Sequence, residues 1–250
     1  MSDIYQHWDS DEILAKYNKP RPWEKRFRSE VYFLEKIMKD GMSVLDVGCA
    51  TGDLYAGLKE KYKNITYVGL DIAEVLIKRA KELFSDATFI LGNILAPGLL
   101  DKKNQFDLVT ATGVFQHEPK SEELLRKMID QTKDGGYVLF DLKLFHSHPT
   151  LRDINLSYCE HTERVYFIIF NLSEIMNFIS SQSDVTAIEC YGYYSGINES
   201  VRLPKSVDEE VCSAHILLKR GQKDNKTPFK VELNLPAEFI INYFKAKSKN

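Results

Sequence analysis

The stretch Val44-Leu45-Asp46-Val47-Gly48-Cys49-Ala50-Thr51-Gly52 decides the fold. A hydrophobic run enters a glycine, and a second glycine follows where a helical pattern begins. Glycine is needed where the backbone turns sharply and a ligand approaches with no Cβ in the way. The pattern is G-x-x-x-G preceded by an acid, not the G-x-G-x-x-G of dinucleotide folds. A pyrophosphate favours bare backbone N–H groups, whereas an ammonium-bearing amino-acid moiety is compatible with the nearby carboxylate of Asp46. The next apolar run, Tyr67-Val68-Gly69-Leu70, closes in Asp71, 23 positions beyond Gly48. An acid there can accept both hydroxyls of a ribose. The plainer alternatives are a strand–turn–helix with two convenient glycines, and an aspartate that only caps a helix.

Outward from this stretch, strands and helices alternate. Phe27, Val31, Leu34 and Met38 recur at helical spacing and predict an amphipathic helix over 23–39, delimited by Pro20 and Pro22 and ended by Asp40-Gly41. Strands are expected at 43–47, 65–70, 87–91, 106–111 and 137–142. Helices between them are marked by Leu54, Leu58 and Tyr62, by Leu76, Ala80, Leu83 and Phe84, and by 121–133. Near-continuous apolar strands alternating with helices signal a parallel sheet covered on both faces. Beyond Leu142 the pattern loosens. Residues 146–163 are polar, aromatic and irregular, as in lids and substrate-binding insertions. Structure resumes at 165–170, 173–181, 185–191 and 211–219. Residues 221–226 resemble a linker, and the tail 227–250 carries one short amphipathic segment, 237–244.

The glycine motif and the acid after the second strand resemble those of class I S-adenosylmethionine-dependent methyltransferases, over residues 41–142. The resemblance implies an α/β, Rossmann-like three-layer sandwich with a mostly parallel seven-stranded sheet and an antiparallel last strand. N-terminal helices (1–40) would cap a methyltransferase domain (41–220). A substrate-side insertion (143–166) would follow the fifth strand, and 221–250 would form a linker and tail. Asp46, Gly48, Cys49 and Gly52 would then cradle the methionine end of S-adenosylmethionine, Asp71 would bind the ribose, and Ile72 would pack on the adenine. Asn93 takes the place of a frequent acid after the third strand, where its amide oxygen can accept from the adenine amine, and Ile94 can offer its N–H to the ring. The segment 106–117 resembles the family's fourth motif, which brings Ala111 and Thr112 to the cofactor's amino-acid part. Lys133-Asp134-Gly135-Gly136 matches the family's glycine turn before the fifth strand. An aromatic or basic residue near the N-terminus often caps the cofactor, with Tyr17, Trp23 and Arg28 as candidates; Trp23 serves equally well as a buried anchor.

His117 ends the fourth motif. An unperturbed imidazole titrates near neutrality and can act as a general base, or it can simply position substrate. Methyl transfer is an in-line displacement on an activated sulfonium, so alignment and exclusion of water supply much of the acceleration. His146, Tyr158 and His161, with His148 and Tyr166 beside them, are the acceptor-side candidates in the insertion. The product would be S-adenosyl-L-homocysteine. No metal is expected, because the fourth strand ends in Thr110-Ala111-Thr112 where a hard dication would need clustered carboxylates.

Composition narrows the partners. The chain has 250 residues, 44% hydrophobic and 28% charged, enough to bury a core beneath a solvated surface. A net charge of −3 argues against nucleic acid as the main partner, although five Lys or Arg fall within 19–28. The start MSDIYQHWDSDE lacks the features of a secretory signal, and no apolar run is long enough to span a bilayer. Four scattered cysteines with no C-x-x-C pair suit reduced thiols in a cytoplasmic protein. The leading expectation is methylation of an oxygen or nitrogen on a small molecule, with a sugar or surface-polysaccharide precursor among the candidates. A non-catalytic S-adenosylmethionine-binding partner subunit and a nicotinamide oxidoreductase are the alternatives. A homodimer is compatible with the sequence.

Overall fold

The structure, a computed structural model, describes residues 3–157, 165–194, 203–223 and 228–248. The chain divides into two compact units. The first comprises Met1–Thr112 and Glu122–Leu139, and the second Gly113–Ser121 and Phe140–Asn250.

In the first unit α1 (Asp3–Gln6) and α2 (Asp11–Tyr17) precede a one-turn 3-10 helix (Trp23–Lys25) and α3 (Arg28–Ile37). Ser10 caps α2 by accepting from the Ile13 N–H at 3.3 Å, and Asp11 and Glu12 favour the positive end of its dipole. There follow β1 (Ser43–Val47), α4 (Asp53–Lys61), β2 (Thr66–Asp71), α5 (Glu74–Leu83), β3 (Thr88–Leu91), β4 (Phe106–Ala111) and α6 (Ser121–Gln131). β1 pairs parallel with both β2 and β4, and β2 pairs parallel with β3. The order β3-β2-β1-β4 reverses direction beside β1. At such a switch point the carboxyl ends of neighbouring strands diverge and leave a crevice for ligands. The core is Val44, Leu45, Leu70, Leu108 and Val109 from the strands, with Leu58, Leu76, Ile77, Leu125 and Met128 from the helices.

The next strand, β5 (Thr132–Phe145), crosses from the first unit into the second. In the second unit β6 (Leu151–Ser157) runs antiparallel to β7 (Val165–Asn171), and β7 runs parallel to the end of β5. After α7 (Leu172–Ser180), β8 (Val185–Tyr194) pairs antiparallel with β9 (Cys212–Arg220) and parallel with β10 (Lys230–Asn234), and α8 (Ala237–Lys247) follows. Asn171 caps α7 by accepting from the N–H groups of Ser173 and Glu174.

The expected class, a mostly parallel sheet of Rossmann type with helices, is the one observed. Its details differ. Among the described residues there are ten strands where seven were expected; β6 and β9 run antiparallel to β7 and β8, while the last in the chain, β10, is parallel to β8. Part of the segment expected to be irregular is β6. The expected helix 23–39 is broken at Arg26, whose extended backbone turns its guanidinium onto Asp53 and Glu30. Among the described residues no helix is long and apolar enough to cross a membrane.

Candidate functional site

The turn after β1 contains three left-handed residues: Gly48 (φ 74°), Ala50 (φ 47°) and Gly52 (φ 86°). Gly48 and Cys49 donate their N–H groups to the Leu70 carbonyl at 2.7 and 3.2 Å, tying the turn to the end of β2. Asp71 completes the tie. Its Oδ2 accepts from the Ala50 N–H at 2.9 Å and its Oδ1 from the Ala73 N–H at 3.0 Å. The glycine turn and the acid after β2, 21 residues apart from Ala50 to Asp71, are therefore direct neighbours. Burial raises the Asp71 carboxyl above its ordinary value, opposed by the N–H groups of Ala73, Ala50 and Ile72. The two carboxylate oxygens have four lone pairs, so these three N–H groups leave room for a further donor.

Asp46 is the second buried acid. It pairs with Gly69 across the β1–β2 ladder, and Tyr67, diagonal to it on the same face, donates its hydroxyl to Oδ2 at 2.6 Å. Burial pushes Asp46 up to about 7, with Tyr67 and Arg26 pulling it down and Glu30 and Asp53 pushing it up. Arg26 is itself buried. It donates to Glu30 at 2.9 Å, forms an ion pair with Asp53 at 2.9 Å and also donates to the Asp53 carbonyl. Arg21 pairs with Asp53 from outside at 2.9 Å. These partners account for two of the five basic residues in the run at 19–28, Arg21 and Arg26.

The other expected residues of the first unit fall as follows. Cys49 turns its thiol inward, where a Cβ on Gly69 would meet Sγ at 2.7 Å, and burial raises its pKa well above the ordinary value. It is no nucleophile. Ile72 is half-buried at the end of β2, and Ile94 is buried after β3. The Asn93 Oδ1 already accepts from the Leu95 N–H at 2.8 Å. Ala111 is buried at the end of β4, with Thr112 half-buried beside it. Tyr17 has an exposed side chain, and its carbonyl accepts from the Thr51 hydroxyl in the glycine turn. Trp23 is a buried anchor instead of a cap. Its ring would be 2.7 Å from a Cβ at Gly57, and its indole N–H donates to Glu35.

In the second unit, the His117 Nδ1 lies 3.0 Å from the Tyr166 carbonyl, and the ring sits edge-on to Phe167. A carbonyl only accepts, so Nδ1 carries the proton in this contact. His146 follows β5, its N–H bonded to Glu209 and its ring edge-on to Phe239 of α8. Glu209 also accepts from Ser147 and His148 N–H groups, at 3.2 and 2.9 Å, which fixes the chain leaving β5. Tyr158 and His161 lie outside the described residues. Among the described residues no group of three or more His, Cys, Asp or Glu is placed to hold a metal ion.

The sequence signal overlooked Tyr67, Arg26 and Glu30, none of which belongs to a motif; a tyrosine two residues before Gly69 was the available hint.

Comparison with known proteins gives a consistent result. A family model described as a methyltransferase domain matches residues 38–164. A carboxy-S-adenosyl-L-methionine synthase of Nautilia profundicola is 25% identical over 182 residues, which cover 68% of this chain and 77% of that protein. A ubiquinone biosynthesis O-methyltransferase of Pseudomonas fluorescens is 28% identical over 107 residues, 42% of this chain and 46% of the other. The chain thus spans less than half the length of that relative. The solved structure of phosphoethanolamine N-methyltransferase 2 from Haemonchus contortus, in complex with S-adenosyl-L-methionine, matches with a TM-score of 0.64 at 15% identity. The match covers 89% of this chain and 61% of that one, and the likeness is one of fold.

Proposed function

Because the chain belongs to the methyltransferase-domain family, we propose that it transfers the methyl group of S-adenosylmethionine to an oxygen or nitrogen of a small molecule. The observation that carries this reading is the Asp71 carboxylate bonded to the Ala50 N–H, since one nucleoside amino-acid ligand needs both places at once. The residues fit such a group. Asp71 is oriented by backbone N–H groups and keeps acceptor capacity for a ribose hydroxyl. Asp46 answers the ammonium of the methionine end, with the backbone of Gly48, Cys49 and Gly52 beside it. Ile72 offers apolar contact to the adenine, Ile94 its backbone N–H to the ring, and Asn93 keeps a second lone pair on Oδ1 for the adenine amine. Ala111, Thr112 and Tyr17 complete the proposed set.

When bound, S-adenosylmethionine supplies a methyl group already activated by the cationic sulfur, so the chain's task is alignment and exclusion of water. His117 is proposed as the general base, acting through Nε2 while Nδ1 donates to the Tyr166 carbonyl. His146, Tyr158 and His161 are proposed on the acceptor side, and sugars or surface-polysaccharide precursors are the acceptors to try first. A cytoplasmic setting and the absence of a nucleic-acid partner belong to the same proposal.

The test is transfer of tritiated methyl from S-adenosylmethionine into the small-molecule fraction of a cell extract. The proposal predicts labelled product that forms in step with S-adenosylhomocysteine. No labelled acceptor of any kind, despite retained cofactor binding, would make the chain a non-catalytic binding subunit.

A further inference from the structure

The second unit keeps a lysine inside an apolar strand. In β5 every residue from Val138 to Phe145 is buried, and Asp141 and Lys143 alone among them are ionisable. The Lys143 side chain is 11% exposed and that of Asp141 is 5% exposed. Lys143 Nζ lies 3.6 Å from Asp141 Oδ2, beyond ordinary hydrogen-bond reach, and this is its one ion pair among the described residues.

Asp141 is only partly available to it, because Oδ1 accepts from the Gly113 N–H at 2.6 Å. The neighbouring Cys212 does not compensate the ammonium. Burial pushes its thiol up to about 12 even though Lys143 pulls it down, so it stays neutral. Glu209 is committed to the N–H groups of residues 146–148. A buried ammonium is costly unless it is paired and hydrogen-bonded, and this one has three donors and, among the described residues, a single loose partner. It also stands two residues before the carboxyl end of β5, the edge at which open α/β sheets hold ligands.

We propose that Lys143 binds an oxyanion of the methyl acceptor, a carboxylate or a phosphate, with Asp141 steadying the ammonium from the other side. The proposal rests on the methyl-transfer reading. It makes Lys143 a specificity-determining residue: an acceptor bearing the anion brings the missing hydrogen-bond acceptors, and an uncharged acceptor does not.

Ligand-observed NMR on the full chain, saturated with S-adenosylhomocysteine, tests it with inorganic phosphate and malonate as probes. Both are expected to bind and to compete, and the tighter one identifies the anion as phosphate or carboxylate. Lys143→Met and Lys143→Gln should each weaken binding at least tenfold, while Lys143→Arg retains it and all three keep the parent's affinity for S-adenosylhomocysteine. Two neutral replacements guard against one failing to fold. The idea is overturned if either folded neutral variant binds the probes as the parent does, or if the parent binds neither. Loss of S-adenosylhomocysteine binding by the parent would instead sink the methyl-transfer reading, which separates the two failures.

Discussion

The Tyr67 hydroxyl donates to Asp46 Oδ2 at 2.6 Å, joining β1 to β2 through two side chains buried beside the glycine turn. Burial nevertheless dominates, and the Asp46 carboxyl is pushed from 3.8 up to about 7. The native state therefore holds this proton more tightly than the unfolded chain. The resulting stabilisation is complete below pH 3.8 and is lost as the pH rises through about 7, on the order of 4 kcal/mol in all. Asp46→Asn keeps an oxygen for Tyr67 and removes the charge. At pH 8 its urea midpoint should exceed the parent's, with the gap closing at pH 5. An equal gap at both pH values would show that Asp46 does not carry the effect.

The same carboxylate must be ionised to meet an ammonium. Affinity for S-adenosylhomocysteine should fall as the pH is lowered from 8 to 6 in the parent. In Asp46→Asn it should be weaker and nearly flat over that range. A parent profile without slope would remove Asp46 from the methionine end.

Asp71→Ala deletes the acceptor proposed for the ribose and releases the Ala50 and Ala73 N–H groups. It should weaken S-adenosylhomocysteine by ~1.5–3 kcal/mol, the scale of hydrogen bonds to a charged group. Unchanged affinity by calorimetry would put the ribose elsewhere.

Two substitutions in the turn should act in opposite directions. Gly52 has φ 86°, and an added Cβ would meet the Phe84 and Phe89 rings at 3.0 and 3.1 Å. Gly52→Ala should cost roughly 1–3 kcal/mol from backbone strain and overpacking. Ala50 already holds a left-handed conformation with a side chain, so Ala50→Gly should be neutral or stabilising by up to about 1 kcal/mol. Urea unfolding checks both, and a Gly52→Ala protein as stable as the parent would contradict the packing described.

Much of this was legible in the sequence where local pattern and tertiary structure agree. β1 and β4 begin and end at the predicted residues because parallel strands buried on both faces read as unbroken apolar runs. β6 and β10 escaped for the opposite reason. Leu151–Ser157 and Lys230–Asn234 mix polar with apolar residues, and their pairing with β7 and β8 supplies what their composition does not. The break in the 23–39 helix depends on Asp53, 27 residues from Arg26, and no local signal announces it. In the candidate site the motif residues were visible, but the Tyr67 contact depends on strand register. Likewise Lys143 looks like a surface lysine until β5 is seen to be buried around it.

Calorimetric titration of the full chain with S-adenosylhomocysteine, with NAD as the parallel titrant, is the most direct trial of the central claim. Saturable micromolar binding of S-adenosylhomocysteine and no heat from NAD is the predicted result. Micromolar NAD binding with no response to S-adenosylhomocysteine would contradict it.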